Sequence, residues 1–126
     1  MIMITGGAFQ GKRDFAKQNF GITENNILDG GNCSFAEMVN ARCITHYELA
    51  VRRLLKEKKD PIEFTECLNC EVVIMNEIGC GIIPLDKSER EWREMTGRAG
   101  CILADRAETV YRVCCGIPTI IKGEKV

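Results

Sequence analysis

The sequence has almost no net charge, no long apolar run and a single histidine. Seventeen basic against eighteen acidic residues leave a formal charge of −1, so bulk electrostatics draws it neither to nucleic acid nor to an acidic membrane surface. No stretch of eighteen apolar residues exists to span a bilayer. The opening "MIMITGG" carries no basic leader and no cleavage site, and reads as a strand rather than a signal peptide. A cytoplasmic location follows as the expectation. Repeats, low-complexity segments and linkers are missing too, and 126 residues suit one domain.

Cysteine, in contrast, is plentiful, with eight in the chain. In a reducing compartment these are thiols. Cys67 and Cys70 form a CxxC and Cys114 and Cys115 are adjacent. Two close pairs can make a zinc site. However, the first lacks the turn-forming glycine or proline of a zinc knuckle, and the second would point to opposite faces of a strand. Small buried apolar side chains are the expected role.

The apolar patterning alternates strands with helices. "MIMIT" is a buried strand ending in Gly-Gly, and Lys12–Phe20 fits a short helix closed by Gly21. "NNILDGG" holds a second strand. Ser34 opens a mostly helical region in which Ile44, Tyr47, Val51, Leu54 and Leu55 form an apolar stripe, ended by "KEKKDP". "IEFTECL" is ambiguous, with room for one more helical turn. Val72 to Asn76 is the clearest buried strand, "GCGIIP" a loop, and Asp86 or Ser88 the cap of a helix over Glu89 to Ala104 with Trp92, Met95 and Leu103 inward. "ETVYRVCC" and "IPTIIKG" are two more strands joined by a tight turn at Gly116, hence antiparallel. The expected fold is an α/β, P-loop NTPase-like three-layer sandwich. Its five-stranded, mostly parallel sheet ends in an antiparallel C-terminal edge strand. In such sheets ligands sit at the carboxyl ends of the strands. The loop from Gly6, Asp29, Asn76-Glu77 and Cys115-Gly116 all fall there.

"GGAFQGKRD" is one residue away from a phosphate-binding loop, which asks for glycine, four residues, then Gly-Lys and serine or threonine. Gly6, Gly7, Ala8, Phe9, Gln10, Gly11, Lys12 and Arg13 are therefore the candidate nucleotide contacts. Backbone N–H groups form the nest, and Lys12 reaches a terminal phosphate. Arg13 stands where a hydroxyl would ligate Mg²⁺, and a guanidinium has no lone pair to offer a cation. Phosphate affinity is expected to outlast metal-assisted transfer. Asp29 reads either as a carboxylate for Mg²⁺ or as a turn-forming residue before Gly-Gly. His46, beside the apolar stripe, reads as a partly exposed surface residue.

The stretch "VVIMNEIGCGIIPLDKSEREWREMTGRAG" resembles the adenosylcobinamide kinase / adenosylcobinamide-phosphate guanylyltransferase family of cobalamin biosynthesis. Asn76-Glu77-Ile78-Gly79, Gly81-Ile82-Ile83-Pro84, Thr96-Gly97-Arg98 and Gly116-Ile117-Pro118 match its "NEVGxGIVP", "GRxNQ" and "G(I/L)P" stretches in order. "TGGAFQGKR" stands against its "TGGxxSGKS". Gly100 and Cys101 depart from the family's Asn-Gln, and the chain is shorter by tens of residues. One threading makes Asp29 the metal-holding acid, with "VNARCITHYELAVRRLLKEKK" as the helix after it. The other puts "NILDGG" on the family's second strand and keeps His46 as the nucleotide-accepting histidine. The resemblance implies GTP or ATP as cofactor, Mg²⁺ weakened by Arg13, a corrinoid acceptor and a homo-oligomer. It makes Lys12 and Glu77 the candidate catalytic residues and Asp29 the candidate metal ligand. The implied function is nucleotide binding with at most one of the two activities retained, or an inactive module of the same fold.

Overall fold

The computed structural model describes residues 1–78 and 86–124. Six strands form one sheet in the order β2-β3-β4-β1-β5-β6. They are β1 (Ile2–Gly6), β2 (Ile27–Asp29), β3 (Cys43–Thr45), β4 (Val72–Asn76), β5 (Thr109–Cys114) and β6 (Ile117–Lys122). The first five run parallel, with Ile4 facing Ile74 on one side and Tyr111 on the other. Only β6 is antiparallel, pairing Cys114 with Ile117 across the turn.

β1 and β4 lie inside the sheet and are apolar on both faces, as buried parallel strands must be. Successive side chains feed two cores. Met3, Val73, Met75 and Val110 pack on one face against Tyr47, Ala50 and Val51 of α3 (Tyr47–Lys56) and Ala99 and Leu103 of α5 (Lys87–Arg106). Ile4, Val72, Ile74, Cys43 and Val113 pack on the other against Ala16 of α1 (Lys12–Phe20). Two short helices, α2 (Phe35–Val39) and α4 (Pro61–Cys67), complete the thicker helical layer. The expected P-loop NTPase-like α/β sandwich is thus present, with an antiparallel edge.

The sheet has one strand more than the five expected. Cys43–Thr45, taken from the sequence into a long helix, is a buried strand between β2 and β4. Ile44 lies three residues before Tyr47, so it matches the helical period by accident of spacing. The stripe proper begins at Tyr47 and continues through Val51 and Leu54, all buried. "IEFTECL" resolves as α4, with Pro61 at its first position and Asp60 Oδ1 accepting the Ile62 N–H at 2.9 Å. Asp86 rather than Ser88 caps α5, accepting the Ser88 N–H at 2.7 Å. The "GCGIIP" reading, 79–84, lies outside the described residues. No described helix is long and apolar enough to cross a membrane.

The cysteines divide. Cys43 and Cys70 are buried, and burial pushes their thiols up to about 11 and about 12. Cys67, Cys101, Cys114 and Cys115 are exposed, so the small-apolar role fits only part of the set. Among the described residues no group of three histidine, cysteine or acidic side chains is arranged to hold a metal ion.

Candidate functional site

β1 and β5 approach so closely at Gly6 that a Cβ there would lie 2.4 Å from the Val113 carbonyl oxygen. Glycine is required, and its φ of +147° confirms a backbone that L side chains avoid. The chain then rises through Gly7 to Gly11 and enters α1 at Lys12. Gly11, at φ +92°, lies against Gly116, where a Cβ would meet the Gly116 Cα at 3.4 Å. Gln10 fixes the loop from both ends of its own residue. Its side-chain Oε1 accepts the Cys115 N–H at 2.5 Å and its carbonyl accepts the Gly116 N–H at 2.8 Å. Phe9 forms the tip, fully exposed and at φ +59°.

Lys12 folds back under the loop and donates to the Gly7 carbonyl at 2.5 Å. It is only 5% exposed. Burial lowers its ammonium below the usual range, and the negative charges of Glu48 and Glu77 work against that shift. The Lys12 ammonium is thus held under the loop between the Gly7 carbonyl and the negative charges of Glu48 and Glu77. Arg13, the residue that departs from the motif, turns to the surface and pairs with Glu24 at 2.5 Å, and Lys17 pairs with the same carboxylate.

Beside the loop the carboxyl ends of β3 and β4 form the far wall. Ala8 through Asp14, Thr45, His46, Ile74 and Asn76 enclose a cavity of about 340 Å³. His46 caps α3 in the left-handed conformation, φ +54°, which is costly for a residue with a Cβ. Behind it Glu48 is 3% exposed. Its Oε1 accepts the Asn76 N–H at 2.9 Å and its Oε2 accepts from the Asn76 amide at 3.3 Å. Its Oε2 lies 3.6 Å from His46 Nδ1, within ion-pair range and too long for a hydrogen bond. One buried carboxylate thus ties together the end of β4, the start of α3 and the imidazole at the cavity wall.

Glu77 directly follows the end of β4. Its N–H donates to the Gly6 carbonyl at 2.8 Å, and its carboxylate takes a fork from Arg112 at 2.7 and 3.1 Å. Those hydrogen bonds hold its carboxyl below the ordinary carboxylate range. Asp29 is placed elsewhere. It ends the outer strand β2, three strand spacings or about 14 Å from β1. Its Oδ1 accepts the Gly31 N–H at 2.8 Å, the turn-forming role. Arg13 offers no hydroxyl beside the loop, and Asp29 is engaged by its own turn one strand outward from Thr45 at the cavity wall.

The structure brings the loop, Lys12 and Asn76 together as the sequence order suggested, and sets His46 and Glu48 beside them. His46, read from its position as a surface side chain and kept as the nucleotide-accepting histidine in one of the two threadings, lies at the cavity wall because Cys43-Ile44-Thr45 is a strand. The short run Cys43-Ile44-Thr45 before it was the available signal for a strand end. Glu48 gave no signal, since a glutamate in the first turn of a helix ordinarily faces solvent and complements the dipole.

Residues 32–121 match the family model described as cobinamide kinase / cobinamide phosphate guanyltransferase. That match takes in the middle of the chain as well as its C-terminal half, and begins after the glycine-rich loop. The chain is also similar to the bifunctional adenosylcobalamin biosynthesis protein CobU of Salmonella typhimurium, with 37% identity over 59 residues. That alignment covers 44% of this chain and 33% of the relative, so it spans about a third of the relative's length. With the family model spanning most of the chain, including β3 and β4 whose ends wall the cavity, the chain belongs to the cobinamide kinase / cobinamide phosphate guanyltransferase family.

Proposed function

We propose that this chain binds a purine nucleoside triphosphate on the Gly6–Lys12 loop and carries out one of the family's two transfers, with a corrinoid as acceptor. The observation that carries this reading is the loop itself: a strand-to-helix turn held open by Gln10, with the Lys12 ammonium buried beneath it. Amides at the start of α1 and the helix dipole favour the phosphates. Lys12 would exchange the Gly7 carbonyl for a phosphate oxygen. The cavity wall supplies His46, an imidazole able to take a proton from an attacking hydroxyl or to attack phosphorus itself. Glu77, already engaged by Arg112, keeps a negative charge near Lys12 and shapes the mouth.

A second reading is favoured by Arg13. Its guanidinium pairs with Glu24 at the surface instead of presenting a hydroxyl to a cation. A module that binds nucleotide without turning it over would have this loop. Titration calorimetry with GTP and with ATP, each with and without Mg²⁺, tests binding, and assay of phosphate and GMP transfer to adenosylcobinamide separates the readings. Micromolar binding lost in Lys12→Ala, with transfer lost in His46→Ala, supports an enzyme. Binding without transfer supports the inactive module. No heat with any nucleotide overturns both.

A further inference from the structure

His46 is the chain's single histidine, and it occupies the left-handed cap between β3 and α3 at φ +54°. Backbone held in that region persists only where its surroundings over-determine it, and such positions cluster at functional sites. Here the helix supplies the constraint. The Leu49 and Ala50 N–H groups both donate to the His46 carbonyl, at 2.9 and 3.4 Å. The ring is left with its side-chain torsions alone. Its side chain is 43% exposed and lines the cavity that Lys12 also lines.

Glu48 follows two residues later, buried in the first turn of α3. An ionised carboxylate is costly to bury unless it is paired and hydrogen-bonded. Asn76 supplies two donors, its N–H to Oε1 and its amide to Oε2. Trp92 Nε1 donates to the Glu48 carbonyl at 2.7 Å, which locks the same turn to α5. The carboxylate is therefore fixed from β4 and its backbone from α5. On Oε2, His46 Nδ1 lies 3.6 Å away. Catalytic hydrogen bonds are commonly this loose before a substrate binds, and a small turn of the ring brings the pair within range.

We propose that Glu48 is a positioning residue: its carboxylate holds the proton of neutral His46 on Nδ1 and leaves the lone pair on Nε2, at the cavity. Free histidine prefers the opposite tautomer, with the proton on Nε2. In that form the nitrogen away from Glu48 carries a hydrogen, and can neither accept a proton nor bond to phosphorus. A carboxylate behind the imidazole reverses the preference. It can only accept, so the ring nitrogen beside it must donate. The two nitrogens lie on opposite edges of the ring, so turning Nδ1 toward Glu48 turns Nε2 away from the buried side. The use of that lone pair rests on the nucleotide reading above, whereas the tautomer is independent of it.

With one histidine in the chain, long-range proton–nitrogen correlation NMR reads this ring without ambiguity. Well above the ordinary imidazole pKa of ~6.5, the expected wild-type spectrum has a protonated, pyrrole-like Nδ1 and a bare, pyridine-like Nε2. A hydrogen bond to a charged acceptor displaces the tautomer ratio by about tenfold or more. Glu48→Gln should cancel that factor and return the proton to Nε2. Its one oxygen is held by the Asn76 N–H, and the amide nitrogen that replaces Oε2 can only donate to Nδ1. A wild type with the proton mainly on Nε2 overturns the proposal without any variant, and an unchanged tautomer in Glu48→Gln overturns it too. Added GTP or ATP should displace the Nε2 resonance of the wild type. If neither does while the proton stays on Nδ1, the nucleotide reading falls and the Glu48–His46 pair stands. If either does while the proton is on Nε2, the nucleotide reading stands and the role of Glu48 falls.

Discussion

Glu48 is the least exposed carboxylate described at the site, and replacing it separates hydrogen bonding from charge. In Glu48→Ala the Asn76 N–H, now satisfied at 2.9 Å, is left without its acceptor. An unsatisfied buried donor costs about 1–3 kcal/mol. The vacated volume of the side chain adds ~1 kcal/mol. Recovered desolvation of the buried carboxylate offsets part of this. The net expectation is a loss of about 1.5–3.5 kcal/mol. Glu48→Gln keeps an oxygen for the same N–H while losing the longer bond from the Asn76 amide and the charge near Lys12 and His46, so a loss of no more than about 1.5 kcal/mol is expected. Urea unfolding reads both. With a slope of ~2 kcal/mol per molar, the alanine midpoint falls by ~1–2 M at unchanged slope and the glutamine midpoint by less than 1 M. Equal losses in the two variants, or an alanine loss below about 0.5 kcal/mol, would refute the claim that Glu48 holds the strand end through its hydrogen bonds.

Three further outcomes follow from the geometry. Gly6→Ala forces a Cβ to within 2.4 Å of the Val113 carbonyl and should cost roughly 2–4 kcal/mol, lowering the thermal midpoint by about 10 °C in a calorimetric scan. Glu77→Gln should destabilise the chain at neutral pH, because Arg112 depresses the folded-state carboxyl. That advantage of the wild type is present above the unfolded carboxyl pKa and is lost as pH falls through the depressed folded value, so the two unfolding curves converge in acid. His46→Gly should be more stable than His46→Ala by about 1 kcal/mol in denaturant titration, since φ +54° penalises any Cβ.

Most of the framework was legible because burial leaves a direct mark on composition. Val72–Asn76 reads as a strand since both of its faces are covered, and Lys12–Phe20 reads as a helix because Gly21 closes it in the left-handed region. The three-residue strand Cys43–Thr45 escaped detection because it is too short to show a period of its own, and Ile44 falls into step with the helix that follows. At the site, the glycines and Lys12 announce themselves through spacing. The distance between Asp29 and the loop is a property of strand order, which no local pattern encodes. Glu48 and Arg13 were illegible for a related reason: whether a charged side chain turns inward or outward is decided by partners remote in sequence.

The two bonds from Gln10 to Cys115 and Gly116 join residues about a hundred positions apart. Closing a loop of that length is slow relative to forming α1 or any local turn. The shape of the glycine-rich loop is therefore set only after the β5–β6 hairpin has docked. Substitutions in that hairpin will reach the loop without touching it, by altering how long its shape stays formed. A chain that has folded its first four strands and not yet its last two would have the motif and lack its conformation.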